Sequence, residues 1–158
     1  MPRLSASLIL VKEIGMSITA KQKELVQSSF AKVESIADTA AEIFYSKLFE
    51  YDPSLRKLFR TDMKSQGRKL MSTLKVAIKG LDDLNALIPV LEKIATQHLG
   101  YGVKAEDYTT VGNALLFALK AGLGDQWNPE LRQAWIDTYR IVAQVMKAAA
   151  YQAKASNG

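Results

Sequence analysis

Apolar residues recur three and four positions apart along most of the chain, a spacing that predicts helices. Thr19 followed by Gln22 reads as a capping box opening a first helix over about 20–34, with Val26, Phe30 and Val33 inward. Ala37, Ala41, Phe44, Tyr45 and Leu48 form the inner stripe of a second helix over about 36–51, which Asp52-Pro53 ends. Pro53 opens a short helical segment closing on Leu58-Phe59, and residues 60–64 read as a connector. A third long helix is expected over about 65–79, stopping at Gly80. The next runs over about 82–99, with Pro89 inside it as a kink or a split, and Gly100 and Gly102 close it. Two further helices are expected over about 105–121 and 129–154, with the turn between them at Gly122, Gly124 and Asp125. Asn128-Pro129 supplies a cap followed by a first-turn proline. No segment alternates with period two long enough for a strand, and no internal repeat is present. The fold class is therefore all-α, in one domain.

Polar residues on the apolar stripes carry the candidate chemistry. Leu84, Leu87, Leu91, Ile94 and His98 share one helical face, so the only histidine of the chain points inward. A buried imidazole needs a partner on each nitrogen, either a backbone carbonyl in an ordinary core or a metal. Gln66 leads the stripe Leu70, Leu74, Ala77, and its amide is either exposed at the helix start or donates into a cavity. Tyr45 sits with Ala41, Leu48 and Phe49, and its hydroxyl either reaches a carbonyl within the core or serves as a donor in a site. Tyr108 leads Val111, Leu115 and Ala118 in the same way. Together these give an imidazole on one helix and an amide and a phenol on two others. The remaining lining is Phe44, Phe59, Leu70, Leu91, Val103, Val111, Leu115 and Val142. An apolar slot of this kind suits a flat hydrophobic cofactor whose metal takes an axial base.

Composition narrows the alternatives. The chain has 158 residues, 48% of them hydrophobic, enough for one compact core. With no cysteine, disulfides, iron–sulfur clusters and Cys-based zinc sites are excluded. The formal net charge is +5, but the basic residues are spread among acids, which argues against a nucleic-acid footprint. Residues 4–11 (LSASLILV) are too short an apolar run to cross a membrane, and Lys12 and Glu13 interrupt them as a signal segment. Met16 opens a second possible start, so residues 1–15 are expected to be a flexible extension of a domain spanning 16–158. The cytoplasm is the expected compartment.

The segments FYSKLFEYDPSLRKLF (44–59), SQGRKLM (65–71), LIPVLEKIATQHLGYGVKAEDYTTVGNALL (87–116) and WIDTYRIVAQVM (135–146) resemble a globin. The likeness is to bacterial single-domain globins akin to the globin part of flavohaemoglobins, and it runs from about Thr19 to Lys147. It implies the globin fold, with A, B, C, E, F, G and H helices packed three over three, and haem b (iron protoporphyrin IX) as cofactor. It assigns His98 as proximal iron ligand and Tyr45, Gln66 and Leu70 to the distal, gas-binding side. Phe44, Phe59, Leu91, Ile94, Tyr101, Val103, Tyr108 and Val111 would line the cofactor, with Tyr108 behind His98. The glutamate that polarises the proximal histidine in flavohaemoglobins corresponds, counting from Trp135, to Ala150. No second histidine is available as a distal ligand.

The resemblance makes reversible, high-affinity dioxygen binding the leading expectation, for a carrier, store or scavenger that also takes CO and NO. Alternatives are nitric-oxide dioxygenation served by an external reductase, since no reductase follows within the 158 residues, and a haem-based gas sensor. A haem-free globin relative such as a biliprotein lacks its usual cysteine here. A monomer or homodimer is expected, without nucleic-acid or membrane partners.

Overall fold

The computed structural model describes residues 18–59, 62–100 and 102–157, so the expected extension, residues 1–15, and the lining residue Tyr101 lie outside the described residues. The described residues form six α-helices, α1 (Ala20–Glu34), α2 (Ala37–Tyr51), α3 (Met63–Lys79), α4 (Leu84–Gly100), α5 (Asp107–Leu123) and α6 (Pro129–Asn157). A 3-10 turn at Pro53–Leu58 follows α2, and shorter ones at Gly80–Asp82 and Gly124–Gln126 precede α4 and α6.

Local chemistry sets most boundaries. The Thr19–Gln22 capping box is formed in both directions, each bond 3.0 Å long. Asn128 Oδ1 accepts from the Leu131 amide at 2.9 Å, so α6 starts where Asn-Pro predicts. Several expected boundaries shift, α4 among them, which begins at Leu84 rather than 82. α2 begins at Ala37, because Ile36 is its cap residue and has left helical geometry. α3 begins two residues early, because Asp62 accepts from the Ser65 amide and caps the turn before it. α5 begins at Asp107, whose buried carboxylate accepts from the Lys104 amide and holds 104–106 in a turn. Gly122 belongs to the last turn of α5 rather than to the connection. Pro89 neither splits α4 nor ends it. It lies in the second turn, where it removes one intrahelical hydrogen bond, and the helix nevertheless continues to Gly100.

The most extensive packing joins α2 to α5 and α4 to α6, with α1 laid across α6 and α3 across α2. Gly67 permits the α2–α3 crossing: a Cβ there would lie 2.9 Å from Ala41 Cβ. Inside, Trp135 Nε1 donates to Ser29 Oγ at 3.0 Å, tying α1 to α6 through a buried polar pair. Successive helices α3 and α4 make almost no contact with each other, although each packs firmly elsewhere. Their inward faces keep a row of half-buried apolar residues, among them Leu70, Leu74 and Ala77 on α3 and Leu84 and Ile94 on α4. Among the described residues no helix is long and apolar enough to cross a membrane.

Candidate functional site

His98 sits two residues before the end of α4, on the stripe with buried Leu87 and Leu91 and half-buried Ile94. The imidazole is itself half-buried. Its Nδ1 lies 2.8 Å from the Ile94 carbonyl one turn back. A carbonyl only accepts, so Nδ1 carries the proton, the tautomer in which Nε2 is the nitrogen suited to a metal. That is the arrangement by which a backbone carbonyl fixes the tautomer and plane of a metal-ligating histidine. The His98 carbonyl in turn accepts from the Val103 amide at 3.1 Å, which anchors the turn into α5.

Across the molecule, α2, α3 and the turn between them build a second cluster. The rings of Phe44, Tyr45, Phe49 and Phe59 pack together: Tyr45 meets Phe44 edge-on at 4.9 Å and Phe59 edge-on at 5.2 Å. Phe49 lies 6.0 Å from Tyr45 and 5.4 Å from Phe59. The Tyr45 hydroxyl donates to the Gln66 backbone carbonyl at 3.3 Å, long for an O–H···O bond and so easily exchanged for a better acceptor. Burial pushes the Tyr45 phenol up to about 12, so it remains a protonated donor at every physiological pH. Beside the rings, Phe44, Leu70 and Leu115 share a small cavity with Phe30, Met71 and Leu74, lined by apolar side chains alone.

The expected site residues thus form groups. Phe44, Tyr45, Phe59, Gln66 and Leu70 meet on the α2–α3 side, and Leu91, Ile94, His98 and Val103 on the α4 side. Val111 is half-buried against the core on α5. Buried Tyr108 belongs with Tyr139, whose hydroxyl donates to the Tyr108 carbonyl. Burial raises both phenols above the ordinary tyrosine value, and for Tyr139 the neighbouring Tyr108 adds to the effect. Tyr139 is absent from the sequence-derived set, although it lies one turn beyond Trp135. Phe30 and Met71 escaped it too, because they read as ordinary core. Ala150 is half-buried.

The residues present fit a haem. An imidazole with a fixed tautomer stands on α4, a phenol donor stands on α2, and α3 and α4 barely touch each other. Half-buried apolar side chains on both are what a flat hydrophobic group would cover.

The globin family model matches residues 42–146. The chain is 32% identical over 126 residues to a flavohemoprotein of Bacillus subtilis, covering 78% of this chain and 32% of that protein. It is 30% identical over 143 residues to a neuroglobin of Tetraodon nigroviridis, covering 82% of this chain and 90% of that one. The chain spans about a third of the length of the flavohemoproteins it matches. A solved structure, an engineered carbene transferase named as a nitric oxide dioxygenase of Rhodothermus marinus, superposes with a TM-score of 0.80 at 26% identity. That superposition covers 89% of this chain and 98% of that one. The chain belongs to the globin family, as a haem-binding, all-α protein similar to the globin part of flavohemoproteins.

Proposed function

We propose that this globin reversibly binds dioxygen with high affinity, as a carrier, store or scavenger in the cytoplasm, with haem b as its cofactor. The observation that carries the reading is the bond from His98 Nδ1 to the Ile94 carbonyl near the end of α4. When bound, haem supplies an iron with one coordination position for the protein and one for a diatomic gas. His98 would hold the iron through Nε2. Tyr45, kept protonated by burial, would donate to the gas in exchange for its long bond to the Gln66 carbonyl. The Gln66 amide would act as second donor, and Leu70 and Phe59 would exclude water. A hydrogen bond to a charged acceptor contributes about 1.5–3 kcal/mol, so each donor slows gas release by about ten- to a hundredfold. With alanine at position 150, no carboxylate from that position polarises His98, which favours reversible binding over oxidative chemistry. Stopped-flow oxygen dissociation from the reduced holoprotein tests this: slow release is expected, and rapid release or oxidation within seconds contradicts it.

The flavohemoprotein relatives and the Rhodothermus marinus structure favour a second reading, nitric oxide dioxygenation with a separate protein as electron donor. Its net reaction joins NO, O2 and one electron to give nitrate. Nitrate formation by the holoprotein with NADH and a flavoprotein reductase separates it from storage alone.

A further inference from the structure

At the α5–α6 crossing, Gly112 admits the ring of Tyr139: a Cβ at 112 would lie 2.6 Å from Tyr139 Cε1. The Tyr139 hydroxyl donates to the Tyr108 carbonyl, which pins the ring in the wall of a groove of about 460 Å³ between the two helices. Beside Tyr139 and Gln144, the α6 side of this groove carries Arg132, Ile136, Arg140, buried Ala143 and Lys147. Successive members are three or four residues apart, so they form one stripe on which cations alternate with apolar residues. At 1.5 Å per residue the stripe is about 22 Å long. The facing side contributes Thr109 and Asn113.

The positive charge of the groove is almost uncompensated. Arg132 and Lys147 have no acidic partner among the described residues. Arg140 reaches only Asp137, at 4.0 Å, and that carboxylate already accepts from Gln22 and Gln133. Lys147 is half-buried, so its ammonium stem lies in the groove rather than in open solvent.

We propose that this groove docks an acidic amphipathic helix of a partner protein, with a carboxylate on every second turn and an apolar residue between. Charge complementarity selects the acid, and length and pitch select the helix. The stripe is longer than a small metabolite, and its cations stand about 12 and 10 Å apart, two helical turns in each case. An extended strand repeats one face only every 6.6–6.8 Å and falls out of register within three positions. The groove shares Tyr108 and Leu115 with the candidate cofactor lining, but the docking claim rests on its α6 cations and stands whether or not the oxygen reading does.

Fluorescence anisotropy tests it, using the full-length holoprotein and a labelled helical peptide carrying glutamate on every second turn and leucine between. Saturable binding is expected, at least tenfold weaker for the glutamine version of the peptide. Combining Arg132→Glu, Arg140→Glu and Lys147→Glu should weaken it at least tenfold with the haem absorption and far-ultraviolet dichroism unchanged. Should that variant misfold, the corresponding glutamine substitutions are expected to give the same loss. Ile136→Asp should also weaken binding. No binding of the glutamate peptide, or equal binding by the charge variants, overturns the proposal. So does binding only to phosphatidylserine vesicles, or to tripolyphosphate with no effect of Ile136→Asp.

Discussion

Tyr45 shows how one side chain holds two roles. Its ring fills the aromatic cluster with Phe44, Phe49 and Phe59, while its hydroxyl rests on the Gln66 carbonyl at 3.3 Å. Tyr45→Phe keeps the packing and removes the donor. It is expected to speed oxygen release about ten- to a hundredfold in flash photolysis or stopped flow, with little change in folding. The same burial fixes a pH dependence. A phenol that ionises near 10 in the unfolded chain and at about 12 in the native one stabilises the fold fully below pH 10. That contribution, about 2–3 kcal/mol, is lost as pH rises from 10 through 12. Stability measured by chemical denaturation should therefore fall between pH 9 and 12 in the wild type, and fall less steeply in Tyr45→Phe, where buried Tyr108 and Tyr139 still contribute. The sequence held both readings of this tyrosine open, a hydroxyl on a carbonyl or a donor in a site. The bond to Gln66 realises the first, and its length keeps the second within reach.

Helix packing decided what periodicity left open. The stripes gave the inward faces of α1, α2 and α6 because heptad-like spacing and the caps at Thr19 and Asn128 are local signals. The starts of α3 and α5 were not legible, because they depend on whether Asp62 and Asp107 turn their carboxylates onto nearby amides. At Pro89 the sequence left a kink or a split open, and the single helix from Leu84 to Gly100 removes the split. Gly67 shows the energetic side. Gly67→Val would drive a branched side chain into Ala41 Cβ across the α2–α3 crossing, and is expected to cost about 1–3 kcal/mol. For a domain of this size that lowers the melting temperature by about 3–10 °C. Gly100→Ala, where a Cβ meets nothing within 4 Å, should leave it unchanged. Asn128→Ala should cost about 1 kcal/mol by uncapping α6. Differential scanning calorimetry of the three variants checks all of these.

At the scale of the molecule, the distinctive feature is the separation of α3 from α4. α3 and α4 are adjacent in the chain yet almost without mutual contact, and apolar residues on both, packed at the edge of the core, stay half-buried. The sequence offered candidate lining residues but not this separation, which arises because α3 is committed to α2 and α4 to α6. A haem filling it would add contacts that the polypeptide lacks. Its removal is expected to lower the melting temperature and to raise amide exchange chiefly in α4 and the inner half of α3, leaving α5 protected. All of this depends on His98 holding the iron. The most direct measurement is resonance Raman spectroscopy of the ferrous holoprotein, read at the iron–histidine stretch, in the wild type and in His98→Gly with and without added imidazole. The stretch should be present in the wild type, absent in His98→Gly, and replaced by an iron–imidazole band when imidazole is supplied. A wild-type protein lacking the band, or a His98→Gly protein whose spectrum matches the wild type, would contradict the account.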